Sequence, residues 1–396
     1  MNITENMSVK MVCRTLPEGQ KLTSALIEYP CEIAADKLSA SAYEVTGRTV
    51  ISAFPVESEE MLSAVNKSRL VLVELMSEGE IGFLLGQDQP GPMGKIIRRT
   101  PELKIRQTTP LCAADGAGLP AWKEAVEAHG EIQPLTDKFT QHVFHCERND
   151  RDLPYNLFLP ADYDGEKKYP LLLYIHDRGP LSDEVKMTLW QGVGAVTWVS
   201  DEAQAKRPCI VVAPQFAKVP DIDGGAEDGK PDMLEATFDL VEHIIEKYAV
   251  DENRIYTTGQ SMGCMSSIAM GIRRPDFFTA YYLVAGQWDA EAMTVLSDKK
   301  MFIVVSRGDP RAYPGMNASL ELMEQHGAVV QRAEWDQDGG VVPEEQVSAL
   351  RALPGNIHYA VLKTEKRDYS CHMDTWKVAY GIEGVKEWLF EQEGRG

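Results

Sequence analysis

The chain has 396 residues, 44% of them apolar and 25% charged, the ordinary balance of a globular protein long enough for two or three domain cores. Forty Lys and Arg face 60 Asp and Glu, a formal net charge of -20, which disfavours nucleic acid and anionic membrane surfaces as partners. Seven cysteines, an odd number with no CxxC pair, exclude a disulfide framework or zinc ribbon as the organising device and fit a reducing, cytoplasmic setting.

The opening MNITENMSVKMVC has no basic segment followed by an apolar run, so no signal peptide is expected in it. No apolar stretch approaches the ~20 residues that span a bilayer. From about residue 20 to 115, short apolar runs alternate with turn signals: TSALIEYP, SAYEV, TVISAF, SRLVLVELM, IGFLL and KIIRR. This spacing predicts a small β-sandwich, with a hairpin turn at Gly47-Arg48. No catalytic cluster stands out here, and an accessory domain over 1–132 is expected. Residues 111–135, rich in Gly and Pro with AWKEAVEAH as one short helix, hold the domain boundary, and a second domain is expected over 133–396.

From about residue 136 the pattern changes. LLLYIH, CIVVAP, RIYTTG, AYYLVAG and FIVVSRG read as buried strands. Between them lie helical periods, including Leu234, Phe238, Val241, Ile245 and Tyr248, a stretch from Pro314 to His326, and a C-terminal helix with Ile382, Val385, Trp388 and Leu389. Buried strands alternating with amphipathic helices predict a doubly wound, mostly parallel sheet covered on both faces.

RIYTTG runs into Gln260-Ser261-Met262-Gly263 and then a helix, giving G-x-S-x-G in a strand–turn–helix context. Such a turn exposes the serine oxygen at the C-terminal edge of the sheet. Glycines two positions either side remove the Cβ atoms that would clash, and the Met262 N–H is aimed at a developing oxyanion. DENRIYTTGQSMG, with PLLLYIHDRG, CIVVAPQF, FIVVSRGD and CHMDTWKVAY in order, resembles α/β-hydrolase-fold serine esterases of the polyhydroxybutyrate depolymerase and feruloyl esterase group, in the subgroup with an N-terminal immunoglobulin-like domain. The resemblance implies an α/β-hydrolase domain preceded by an immunoglobulin-like β-sandwich.

A serine hydroxyl needs an adjacent base, and in this fold the chain order is Ser, Asp or Glu, then His. His326, His358 and His372 follow Ser261. His326 sits at a helix end, where it would cap, and His358 opens a strand. His372 falls in a loop after that strand, where the related esterases carry their catalytic histidine. The acid is expected at Asp309, at the C-terminal end of the strand FIVVSRG, with Asp336 its rival and Asp374 too close to His372 in sequence. The second oxyanion donor is expected after LLLYIH. Related enzymes have His-Gly there, whereas this chain has His176-Asp177-Arg178-Gly179, so the Arg178 N–H comes first and Asp177 second. The two side chains would narrow the acyl side of the pocket. His176 itself reads as a hydrogen-bonding residue of the scaffold.

Other signals carry less. The acidic, glycine-rich stretch from Asp221 to Asp232 lacks the final Glu of a calcium loop and reads as solvated. Gly192 and Gly194 are half a dinucleotide fingerprint with no strand before them. Cys264 and Cys371 flank site positions as small buried thiols, and Trp190, Trp198, Trp335 and Trp376 pack in the core or line the pocket. The reading is a carboxylic ester hydrolase with Ser261, His372 and Asp309 as triad, needing no cofactor or metal. Its substrate would be a small-molecule or carbohydrate-linked ester. A prolyl-oligopeptidase-type peptidase would need a propeller, for which the first 130 residues are too few. A non-catalytic binding protein on a hydrolase scaffold is the alternative from another class. The sequence leaves association into a homo-oligomer open.

Overall fold

A computed structural model describes residues 7–89, 95–220, 233–337 and 339–394. The chain forms two compact units, Met1–Lys138 and Phe139–Gly396. The division falls a little beyond the expected 132/133. The residues after Ile132 belong to the first unit because Gln133 accepts a hydrogen bond from Gln20 and its N–H is held by the Asp137 carboxylate.

The first unit is built from short strands. One sheet runs in the order Glu131–Ile132, Ser8–Leu16, Gly19–Ala34, Lys67–Leu75 and Val50–Pro55; a second contains Val126–Glu127, Lys104–Gln107 and Tyr43–Val45. Val9, Ile27, Tyr29, Val71, Val73, Ile105 and Trp122 share one core. The Tyr29 hydroxyl, which must be paired when buried, donates to Gln107 Oε1 at 3.0 Å.

Two expectations fail in this unit. The chain does turn at Gly47, where φ is +70°, but the flanking strands do not pair as a hairpin. Tyr43–Val45 pairs with Lys104–Gln107, whereas Val50–Pro55 pairs with Lys67–Leu75. The turn therefore carries the chain from one sheet to the other. AWKEAVEAH is not a helix either. Val126 and Glu127 pair with Ile105 and Lys104, and the N–H groups of Trp122, Ala128 and His129 bond to Gln107, Leu103 and Val9. Nine residues give a helix too little internal bonding to compete with partners already lined up on a sheet.

The second unit is a nine-stranded sheet. Its strands are β1 (Thr140–Cys146), β2 (Arg151–Phe158), β3 (Tyr169–Ile175), β4 (Ile210–Pro214), β5 (Val250–Gln260), β6 (Ala280–Val284), β7 (Met301–Ser306), β8 (Val330–Trp335) and β9 (Ile357–Leu362). The spatial order is β1-β2-β4-β3-β5-β6-β7-β9-β8. β1 and β2 run antiparallel to their neighbours, and every pair from β4 onward is parallel. β3, β4, β6, β7 and β9 are buried along their whole length, as strands covered on both faces must be. Its helices include α1 (Met233–Lys247), α2 (Met262–Arg273), α3 (Ala312–Gln325), α4 (Ser370–Ala379) and α5 (Glu383–Phe390).

Parallel strands leave all their C-terminal ends on one edge. The segments after β3, β5, β7 and β9 therefore lie along the same edge, which is where an open α/β sheet places its ligand. These four segments carry residues 176–179, Ser261, Asp309 and the approach to His372.

Candidate active site

The turn after β5 is built around close approach. A Cβ at Gly263 would collide with the carbonyl oxygen of Ile175 on β3, and one at Gly259 would meet both that oxygen and the Gly263 backbone. With neither present, α2 leaves β5 tightly enough to force Ser261 to φ +52°, ψ -115°. A non-glycine residue held there costs of order 1–3 kcal/mol, and the packing around it must sustain that strain. Ser261 N–H is fixed by the Val284 carbonyl at 3.0 Å. Met262 opens α2, so its N–H is among the first-turn donors that have no acceptor within the helix.

His372 Nε2 lies 2.8 Å from Ser261 Oγ, and His372 Nδ1 lies 2.5 Å from Asp309 Oδ2. An ionised carboxylate only accepts, so Nδ1 carries the proton and Nε2 is left to accept the serine O–H. Asp309 is 1% exposed and His372 6%. Burial alone would raise the Asp309 carboxyl. The hydrogen bond from His372 and those from the N–H groups of Arg311 and Ala312, both at 2.9 Å, outweigh it and hold Asp309 below its ordinary value.

One expectation about His372 needs correction. It lies in the first turn of α4, not in a loop. Asp368 starts the helix by accepting the N–H of Ser370 on its side chain and that of Cys371 on its carbonyl. The imidazole is held between two aromatic rings. Tyr369, half exposed, stacks on it at 5.0 Å and 29°, and Trp376 meets it edge-on at 5.2 Å and 88°.

The loop after β3 is bolted down by its own side chains. His176 is fully buried; its Nε2 accepts the Phe216 N–H at 2.9 Å, so its Nδ1–H donates to the Asp177 carbonyl at 2.6 Å. Burial pushes this imidazole down to about 4, and it stays neutral. Asp177 Oδ1 accepts the Gly179 N–H at 2.6 Å, and Oδ2 accepts Gln260 Nε2 at 3.1 Å. Burial raises the Asp177 carboxyl, with these two donors opposing the shift. The side chain thus braces the loop against the residue preceding Ser261, contrary to the expectation that it narrows the acyl side of the pocket. Arg178 is exposed.

Gln260 is held from its other end. Its Oε1 accepts Tyr174 OH at 2.9 Å and Tyr380 OH at 3.2 Å, and Gln191 Nε2 donates to Tyr174 OH. This fixes which end of the amide faces Asp177. Nothing in the sequence marks Gln260, because the motif leaves that position free. Tyr369 is equally silent there.

The remaining candidates lie apart. Asp336 is exposed and paired with Lys363, and Asp374 pairs with Lys377. His358 bonds to the Leu353 carbonyl and stacks on Phe302, while His326 caps α3 through the Leu322 carbonyl. Trp190, Trp198 and Trp335 are buried, and Trp376 meets the His372 ring. Gly194 packs on the Tyr174 ring, and Cys264 and Cys371 are buried free thiols. The stretch from Asp221 to Asp232 lies outside the described residues. Among the described residues no helix is long and apolar enough to cross a membrane, and no His, Cys, Asp and Glu cluster could hold a metal ion.

Residues 8–120 match the family model of the esterase Ig-like N-terminal domain. The first unit thus has an immunoglobulin-like fold. A solved structure described as a thermostable esterase superposes with a TM-score of 0.80 at 24% identity, covering 98% of this chain and 99% of that one. The chain thus shares the fold of that structure, an immunoglobulin-like domain followed by a domain with the α/β-hydrolase fold. A protein of Aspergillus terreus named "Probable feruloyl esterase C" is 27% identical over 132 residues. That match spans 33% of this chain and about half, 46%, of the relative.

Proposed function

We propose that the protein is a serine hydrolase of carboxylic esters. The observation that carries this reading is the continuous chain from Ser261 Oγ through the His372 imidazole to the buried Asp309 carboxylate, on a strained turn at the C-terminal edge of the sheet. Ser261 Oγ attacks the ester carbonyl carbon while His372 Nε2 takes its proton. Asp309 holds the ring orientation and stabilises the imidazolium. The tetrahedral oxyanion is received by the N–H of Met262 and by one from the loop after β3, Arg178 before Asp177. His372 then protonates the departing alcohol, and a water molecule repeats the sequence on the acyl-enzyme. Short acyl esters, or acyl groups carried on carbohydrate, are the proposed substrates; the partial match to a feruloyl esterase supports the second. The chemistry calls on no cofactor or metal.

The test is a fluorophosphonate probe with chromogenic esters of increasing chain length, feruloyl esters and acetylated xylan. Labelling should fall on Ser261, and Ser261→Ala should lose labelling and turnover while keeping its circular dichroism. Labelling elsewhere, or activity retained in the variant, rules the assignment out.

A further inference from the structure

A cavity of about 480 Å³ lies beside the Asp309 segment, lined by Arg307, Gly308, Asp309, Pro310, Tyr313, Pro314 and Arg367. The mechanism above uses only Asp309 among these, and that carboxylate is already occupied by His372 and two backbone N–H groups. What the cavity offers a ligand is two guanidinium groups, one tyrosine and two prolines. Arg307 is half-buried and pairs through Nη2 with the partly exposed Glu334, but its Nε is sealed from solvent and meets no acceptor among the described residues. Arg367 is exposed on the segment between β9 and α4. A guanidinium presents parallel N–H donors that match a carboxylate in a bidentate way, and it stays charged at any working pH. Tyr313, Pro310 and Pro314 add flat walls of the kind that cover a ring.

We propose that this cavity binds a small molecule carrying a carboxylate on a ring, with the carboxylate between Arg307 and Arg367 and the ring against Tyr313 and the two prolines. Its volume is in the range of small-molecule pockets and exceeds what a bare inorganic anion fills. The two segments that form it touch at Gly308, where a Cβ would collide with the Lys366 carbonyl and Cys371 Sγ. One of these segments carries Asp309 and the other leads into His372, so a bound acid would bear on both supports of the site.

The inference does not depend on ester hydrolysis, and its test is kept separate from turnover. Full-length protein and its Ser261→Ala variant are titrated with glucuronate, benzoate and inorganic phosphate, followed by ligand-observed NMR and calorimetry. Glucose and benzyl alcohol serve as the neutral counterparts. One ring acid should bind both forms alike, more tightly than its neutral counterpart and than phosphate; which acid binds tells a sugar acid from an aromatic one. Arg367→Ala should weaken that binding about 10-fold or more, with Arg367→Lys in between, because the exposed residue can be replaced without disturbing the fold. Absence of binding by both acids, equal binding of the neutral compounds or of phosphate, or unchanged binding in Arg367→Ala would overturn the proposal.

Discussion

His176 couples the stability of the second unit to pH in a way that can be worked out in advance. Its imidazole is fully buried and neutral, with Nε2 accepting from Phe216 N–H, and burial pushes it from 6.5 to about 4. Between those values the unfolded chain binds a proton that the folded chain refuses. Stability therefore rises with pH across the window; it is complete above about 6.5 and is lost as pH falls toward 4. With those two values, about 2 kcal/mol should disappear between pH 7 and pH 5, and about 3 kcal/mol by pH 4. His176→Gln removes the titration while an amide oxygen can still receive the Phe216 N–H. The assay is urea unfolding at a series of pH values, followed by tryptophan fluorescence, since of the seven tryptophans only Trp122 lies in the first unit. Subtracting the variant's curve from the parent's cancels the other titrating groups. A difference that is flat from pH 7 to 5, or that grows with falling pH in the parent's favour, would refute the reasoning.

Other consequences can be tested beside it. Asp309→Asn should lower kcat by about 10⁴-fold, the loss seen when a triad aspartate gives up its charge, while Asp336→Asn leaves turnover as it was. Gly263→Ala should cost on the order of 3 kcal/mol in urea unfolding and abolish probe labelling, because the added methyl must displace the β3 backbone at Ile175. Asp177→Ala should reduce kcat by on the order of 10²-fold with KM little changed, since the brace acts on the loop proposed to supply an oxyanion donor. It should also cost about 1–3 kcal/mol in unfolding, because Gln260 Nε2 is left buried without its acceptor.

Much of the second unit was legible because its physics is local and periodic. Fully buried strands such as Tyr169–Ile175 and Met301–Ser306 read as unbroken apolar runs, and helices such as Met233–Lys247 show a 3.6-residue period. Ser261, Asp309 and His372 stand out in the sequence through a turn with strict steric demands and a fixed chain order, and the fold brings the three within hydrogen-bond distance. What stayed hidden depends on contacts distant in sequence. Gln260, Tyr174 and Tyr380 meet across the sheet, and no pattern in any one segment announces that. The bracing role of the Asp177 side chain is hidden in the sequence because its partners, Gly179 and Gln260, meet it only in the fold. In the first unit, AWKEAVEAH shows how short a periodic stretch can be before sheet pairing overrides it.

Three helices begin at the site. Ser261 immediately precedes α2, Asp309 Oδ1 takes the N–H groups at the start of α3, and His372 lies in the first turn of α4. Each helix start carries roughly half a positive charge, and these fall within one hydrogen-bonded trio. The chain as a whole is formally -20, so its long-range field and the local field of the helix starts oppose one another in sign. The helix-start field acts over a few ångströms from buried groups and is little affected by salt. The net charge acts at long range and is screened beyond about 10 Å at 0.1 M salt. An anionic ester would thus meet repulsion on approach and attraction on arrival, and added salt would weaken only the first.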